Sequence, residues 1–224
     1  MNIIWKPLLV LLGLPKTIWF NLHYLPLRQA MRLPVWVSHR VWILRGKGHV
    51  SVARNVCFGR VQIGFNNIGI FDQIRSRSIW EVSGDVVFKG PAIIGHGSKI
   101  CVMPYGCLTF GEGTTINAES AVICAHRIRF GAGCMVSWQV LIMDSDLHAV
   151  VGMRDQQRIN PDQPIEIGDR VWLGSRVTVL KGTRIGNGSV VSAGAICAGD
   201  LALENVIYAG VPARPIRHEV TWQK

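Results

Sequence analysis

The sequence predicts an all-β fold, a solenoid of short strands joined by regular corners, behind a basic and aromatic N-terminal extension that is partly helical. Three observations predict it. Apolar residues recur every six positions through the last third of the chain, a second position in each unit is held to small or β-branched side chains, and the same period returns more loosely upstream.

Aligned in sixes, the chain places Ile167, Leu173, Val179, Ile185, Val191 and Cys197 first in successive units. Val171, Val177, Thr183, Ser189 and Ala195 occupy the fifth position. A helix repeats its apolar face about every 3.6 residues and a half-buried strand every second residue. A strict period of six fits neither and requires short strands with a corner between each. Glycines at Gly168, Gly174, Gly186 and Gly194 fall at second or fourth positions, where a turning backbone needs positive φ or close approach between coils. Upstream, Phe88 and Ile94, then Phe110 and Ile116, then Phe130, Val136 and Ile142 fit one register, with short insertions between the blocks. The earliest trace lies at Val50, Val56 and Ile63. The expected organisation is therefore an extension over 1–47, a solenoid over 48–204 and a tail over 205–224.

The extension mixes Lys6, Lys16, Arg28, Arg32, Arg40 and Arg45 with Trp5, Trp19, Phe20, Tyr24, Trp36 and Trp42. Its apolar run from Trp5 to Leu14 meets Pro15 and Lys16 well short of the ~20 apolar residues that a membrane span needs. No small-residue cleavage site follows, so secretion is not expected. Two readings fit: a helix or strap lying against an anionic membrane, or an arm that packs over the end of the core. A formal charge of +10, from 24 lysines and arginines against 14 aspartates and glutamates, favours anionic partners without choosing among them. The six cysteines stand singly, which is poor spacing for zinc or redox work, and read as reduced core residues of a cytoplasmic protein.

The sixfold register breaks after Ile142 and restarts at Ile165 and Ile167, so the polar stretch near 144–164 reads as a projecting loop. It carries His148, preceded by Asp144 and Asp146. A neutral imidazole can accept a hydroxyl proton, and a neighbouring carboxylate can fix its tautomer and stabilise the imidazolium. The same residues also fit a surface-loop histidine capped by its own aspartates.

The repeats, with Ile167-Gly-Asp-Arg-Val-Trp172-Leu-Gly174-Ser175, Val191-Ser-Ala193-Gly194 and Ala209-Gly-Val-Pro-Ala-Arg214-Pro-Ile-Arg217, resemble the signature of hexapeptide-repeat acyltransferases over about residues 48 to 218. Within that family the chain is most similar to bacterial sugar O-acetyltransferases of lipopolysaccharide and capsule synthesis, on Phe20 to Ala30 and Met143 to His148. The resemblance implies a left-handed parallel β-helix of triangular section. It implies acetyl-CoA as co-substrate, a saccharide hydroxyl as acceptor, and His148 as the base that takes the acceptor proton, with Asp146 or Asp144 orienting it. It places Trp172, Gly174, Ser175, Ala193, Arg214 and Arg217 along the coenzyme groove and implies a homotrimer with shared sites. The chain departs from the family at Ala198-Gly199, where a threonine and a lysine are common; Lys181 and Arg184 are the candidates to replace that cation. Trp138 is the candidate to stack on a sugar ring, with core burial as its alternative.

Two other functional classes fit the same solenoid. One is a zinc hydratase of γ-carbonic-anhydrase type, gathering His96, His126 and His148, although no two of these are close in sequence and no metal is expected. The other is a non-catalytic scaffold. Nucleic-acid binding is not expected, because no recognition motif is present. The expected location is cytoplasmic, with the inner face of the cytoplasmic membrane as the place of any peripheral contact.

Overall fold

The computed structural model describes residues 5–66, 68–72 and 75–223, with residues 5–10 described by their backbone alone, so the side chains of Trp5 and Lys6 lie outside the described residues. Helix α1 (Trp5–Tyr24) and the short α2 (Leu27–Ala30) precede a left-handed parallel β-helix. Successive strands go in rotation to three faces of a triangular prism, which hold nine, seven and seven strands. The first coil shows the pattern: Val35–Val37 opens the first face, Val41–Gly46 the second and His49–Val52 the third. Among the described strands pairing is parallel, except where Ala213–Arg217 folds back antiparallel on Ile207–Gly210 at the far end; a single antiparallel bridge, Val151 to Arg158, lies in the loop.

The six-residue period is the inward-facing set. Ile167, Leu173, Val179, Ile185, Val191 and Cys197 are all buried, as are Val171, Val177, Thr183, Ser189 and Ala195. Thr183 and Ser189 are tolerated inside because each hydroxyl donates to a carbonyl of the next coil, Cys197 O at 3.1 Å and Leu203 O at 3.0 Å. Phe88, Phe110 and Phe130 stack in one column on the third face, with centroids 5.1 and 5.4 Å apart. Each such contact contributes about 0.5–1.5 kcal/mol beyond the area it buries. Two glycines show separate needs. A Cβ at Gly174 would stand 2.7 Å from Ala193 N in the next coil, whereas Gly194 has open space but φ of +72°.

Two boundaries differ from the sequence expectation. Coils begin at Val35 instead of near residue 48, because Val35, Trp36 and Val37 pair with Val61, Gln62 and Ile63. Regular coils step eighteen residues, as from Leu173 to Val191. Residues 66–77 are inserted in the second coil, between Val61–Phe65 and Ser78–Val82, so the strands of the first coil fall outside a six-residue register with those that follow. At the other end, Ile185 pairs with Leu201 after only sixteen residues. The register slips there, and Ile207–Gly210 is still a strand of the first face.

Helix α1 lies on the exposed edge of Val35–Val37 and satisfies its backbone. Thr17 Oγ1 accepts from Val37 N at 2.9 Å and donates to Val37 O at 3.2 Å. Asn21 Nδ2 donates to Val35 O at 2.7 Å, and its Oδ1 accepts from Val35 N at 3.2 Å. An open strand edge is a template for aggregation, and the helix closes it. Pro15 does not end the helix. The carbonyl freed by its missing N–H belongs to Leu11, a residue on the exposed side of the helix. No described helix is long and apolar enough to cross a membrane. Of the cysteines, Cys124, Cys134 and Cys197 are buried, Cys101 and Cys107 are half-buried, and Cys57 is exposed rather than in the core. Burial pushes the Cys197 thiol up to about 12.

Candidate active site

The prism has two edges of interest. At the edge between the first and second faces, Trp138, Ser175 and Ala193 occupy equivalent corners of successive coils. Arg176 N donates to Trp138 O at 3.1 Å and Gly194 N to Ser175 O at 2.9 Å. The residue after each corner, Gln139, Arg176 and Gly194, is left-handed, with φ of 57°, 58° and 72°. One turn is thereby repeated coil after coil, leaving a column of Trp138, Ser175 and Ala193 that is half-buried at the first two and exposed at the third. By the same register the column reaches Gly210, and its neighbour Ala209 pairs with the exposed Arg214 on the antiparallel strand; Arg217 closes that strand opposite Ile207.

Trp172 lies just before this column. Its indole N–H donates to Ser137 Oγ at 3.0 Å, and its ring lies 6.0 Å from that of Trp222. The tail holds that contact from both sides: Trp222 Nε1 donates to Arg170 O at 2.7 Å, and Arg170 Nη2 donates to Trp222 O at 3.3 Å. Ser137 and Trp222 were not singled out by sequence. Trp222 lies beyond the repeats, in a tail without periodicity.

His148 stands at a different edge. The chain leaves the second face after Leu141–Met143 and returns as Ile165–Ile167 on the third. Between them, residues 150–159 form a small hairpin in which Ile159 N donates to Val150 O at 2.8 Å and Gly152 N to Gln157 O at 2.9 Å. The His148 ring is exposed and has no hydrogen-bond partner among the described residues. Its backbone is fixed instead. Asn160 Nδ2 donates both to His148 O at 2.8 Å and to Asp146 Oδ2 at 2.7 Å, and Asn160 Oδ1 accepts from Val150 N at 2.6 Å. Lys181, one coil further on, donates to Asp146 Oδ2 at 2.6 Å and Asn160 O at 3.2 Å. Hydrogen bonds from Lys181 and then Asn160 hold the Asp146 carboxyl below its ordinary range. The lock therefore persists above the usual carboxylate pKa and opens only as the pH falls through the lowered one.

The two aspartates have separate tasks. Asp144 is fully buried and turned inward: Oδ1 accepts from Ala125 N at 2.7 Å and Oδ2 from His126 N at 2.9 Å. It ties the root of the loop to the preceding coil, and both its oxygens are engaged there. Asp146 shares the neck of the loop with His148. Lys181, expected to help hold a phosphate, is engaged with Asp146 instead. Asn160 is the member of this network that sequence reading passed over, since an asparagine before Pro161 reads as ordinary loop chemistry. His96 is buried in a corner with its ring nitrogen 3.1 Å from Asp72 O, while His126 is exposed.

Residues 164–199 match the family model described as bacterial transferase hexapeptide (six repeats). The chain is 30% identical over 189 residues to WbbJ of Escherichia coli (strain K12), named as a lipopolysaccharide biosynthesis O-acetyl transferase, with 79% of this chain and 93% of that protein covered. The chain belongs to the hexapeptide-repeat acyltransferase family. This acyltransferase is also 29% identical over 182 residues to a 24.8 kDa protein of the cps region of Klebsiella pneumoniae, covering 79% of each. In fold it is similar to the polysialic-acid-specific acetyltransferase NeuO, with a TM-score of 0.55 at 21% identity over 83% of this chain and 89% of that one.

Proposed function

We propose that this acyltransferase moves an acetyl group from acetyl-CoA to a hydroxyl of a saccharide in surface-polysaccharide synthesis, and that it does so as a homotrimer. The observation that carries the reading is the exposed, locked His148 on one edge of the prism, with the column of Trp138, Ser175 and Ala193 on another. A base on one edge and a groove on the next complete each other when copies stand side by side. That arrangement makes three shared sites.

The groove residues fit a thioester with a long polar arm. Gly174 and Gly194 keep the coils close and the corner open, so that backbone amides can meet the pantetheine. Trp172 offers an apolar face, and Arg214 and Arg217 supply charge for the phosphates at the exposed end. In the reaction, neutral His148 takes the proton of the acceptor hydroxyl as its oxygen attacks the thioester carbon. The tetrahedral intermediate collapses, the C–S bond breaks, and the thiolate of CoA recovers the proton from the imidazolium. Asp146 acts through Asn160, holding the loop instead of touching the ring. Trp138 is assigned to the sugar, an indole face being an apolar partner for a pyranose. The enzyme is placed in the cytoplasm, peripheral to the membrane.

The test is to incubate the protein with acetyl-CoA and extracted lipid-linked or nucleotide sugars and to follow thiol release. Release that depends on acceptor is expected; none with any saccharide, and no acetyl-CoA binding by calorimetry, would leave a scaffold. Arg214→Ala should raise KM for acetyl-CoA several-fold with a smaller change in kcat, since it is assigned to binding alone. Activity that tracks bound zinc and falls with a chelator would instead favour the hydratase.

A further inference from the structure

Helix α1 is inverted relative to an ordinary surface helix. Its polar residues Thr17 and Asn21 face the solenoid, while Leu11, Leu12, Ile18, Trp19 and Leu22 are exposed. The lone lysine among its described side chains, Lys16, is turned back, donating to His39 O at 2.7 Å and Val41 O at 2.5 Å. Burial, and then the charge of Arg77, lower its pKa. Beside the helix, Trp42 and Leu44 on Val41–Gly46 are each 52% exposed, and with Leu12 and Trp19 they line one open groove. An apolar patch of this extent on a soluble surface marks an interaction site.

Charge is distributed to match. Residues 1–71 contain nine of the lysines and arginines and no aspartate or glutamate, whereas the other 15 bases face all 14 acids. Nearly the whole net charge of +10 therefore belongs to the cap and first coil. Arg45 and Lys47 are exposed at the end of the strand that carries Trp42 and Leu44, Arg28 and Arg32 are exposed just after helix α1, and Arg77 lies over the Trp42 ring at 4.3 Å. Glu81, 3.5 Å from Arg45, is the nearby countercharge.

We propose that the capped N-terminal end is a docking surface for an anionic phospholipid bilayer, with Trp19, Trp42, Leu12 and Leu44 entering the headgroup region and the surrounding arginines meeting lipid phosphates. An interface that takes up apolar side chains, indoles and cations together is the chemistry of a membrane surface. Two copies meeting cap to cap would press like charges together. The docked end also sets a height. Strand ladders rise about 4.8 Å per step, and four steps separate Val35–Val37 from Met135–Val136, the strand that opens the coil of the His148 loop. The loop then stands about 20 Å from the bilayer, within reach of a saccharide still joined to its lipid carrier. That last consequence rests on the acetyl-transfer reading.

The experiment is flotation of the full chain with vesicles of phosphatidylglycerol and phosphatidylcholine, and with phosphatidylcholine alone. Binding is expected to the anionic vesicles, to weaken in high salt, and to be slight on the neutral ones. Trp19→Ser combined with Trp42→Ser should lower partitioning about tenfold or more, and Arg28→Gln and Arg32→Gln about fivefold each. An unchanged circular dichroism spectrum and acetyl-CoA affinity identify a variant that has kept its fold. A wild-type chain that stays unbound, a double tryptophan variant that floats like wild type, or a variant whose sedimentation shows loss of oligomer with vesicle binding intact would each overturn the proposal. Thiol release from a water-soluble acceptor is scored separately, so a failure of docking leaves the acetyl-transfer reading standing, and the reverse.

Discussion

Replacing His148 with alanine is expected to lower turnover by roughly 10²–10⁴, the contribution of a positioned acid–base group, while affinity for acetyl-CoA stays close to wild type. The ring is exposed and bonds to nothing described in its own chain, so its removal leaves no cavity and no orphaned partner. Stability should therefore hold, and a fall in kcat can be assigned to chemistry. Two further measurements separate a base from a surface histidine. Only a neutral ring can accept a proton, so wild-type turnover should fall in acid, and that acid limb should be missing from the residual activity of His148→Ala. The Asp146 lock is not the source of the limb, because its carboxyl titrates below the ordinary carboxylate range. Asp146→Asn should cost less than His148→Ala, since an amide still meets Asn160 but loses the charge that draws Lys181. A His148→Ala enzyme with wild-type turnover on a verified acceptor would overturn the mechanism.

The repeat was legible because burial in a solenoid is local. Each six-residue unit points the same two side chains inward, and the three faces of the coil spanning Ile167 to Val179 are written in one short stretch of chain. The first coil was not legible, since Val35–Val37 and Val41–Gly46 belong to it through pairing with strands 26 to 37 residues on, across an insertion that breaks the period. The inward turn of α1 was equally hidden. Nothing in the chain marks Thr17 and Asn21 as inward-facing until the open strand edge that they serve is known. At the candidate site, His148 draws attention because it interrupts a strict register, and Trp172 because it sits inside one. The lock on the loop could not be found, because Lys181 and Asp146 are 35 residues apart and Lys181 occupies a corner where an exposed cation is unremarkable. Nor could sequence distinguish Asp144 from Asp146, two residues apart in one polar run.

That pair supports the second large effect, which falls on stability. Asp144→Ala is expected to destabilise the fold by about 2–4 kcal/mol, because the amides of Ala125 and His126 lose a charged acceptor in a buried corner and the alanine cannot replace it. The loss should appear as a lower midpoint in urea with little change in slope. The damage is local to the root of the hairpin, where Asp144 O also accepts from Gln163 N at 3.1 Å, so protease cleavage within 144–164 should accelerate. Asp146→Asn should behave in the opposite manner: its carboxylate is exposed, its partners reach water when it is lost, and the midpoint should move little while kcat falls. If Asp144 were instead the group that orients His148, Asp144→Asn would remove the charge beside the imidazolium and depress kcat without a comparable loss of stability. The geometry predicts the reverse, because an amide oxygen can still accept from one of the two backbone donors but its NH₂ must face the other. An Asp144→Asn protein with wild-type stability and crippled turnover would therefore move the orienting role from Asp146 to Asp144.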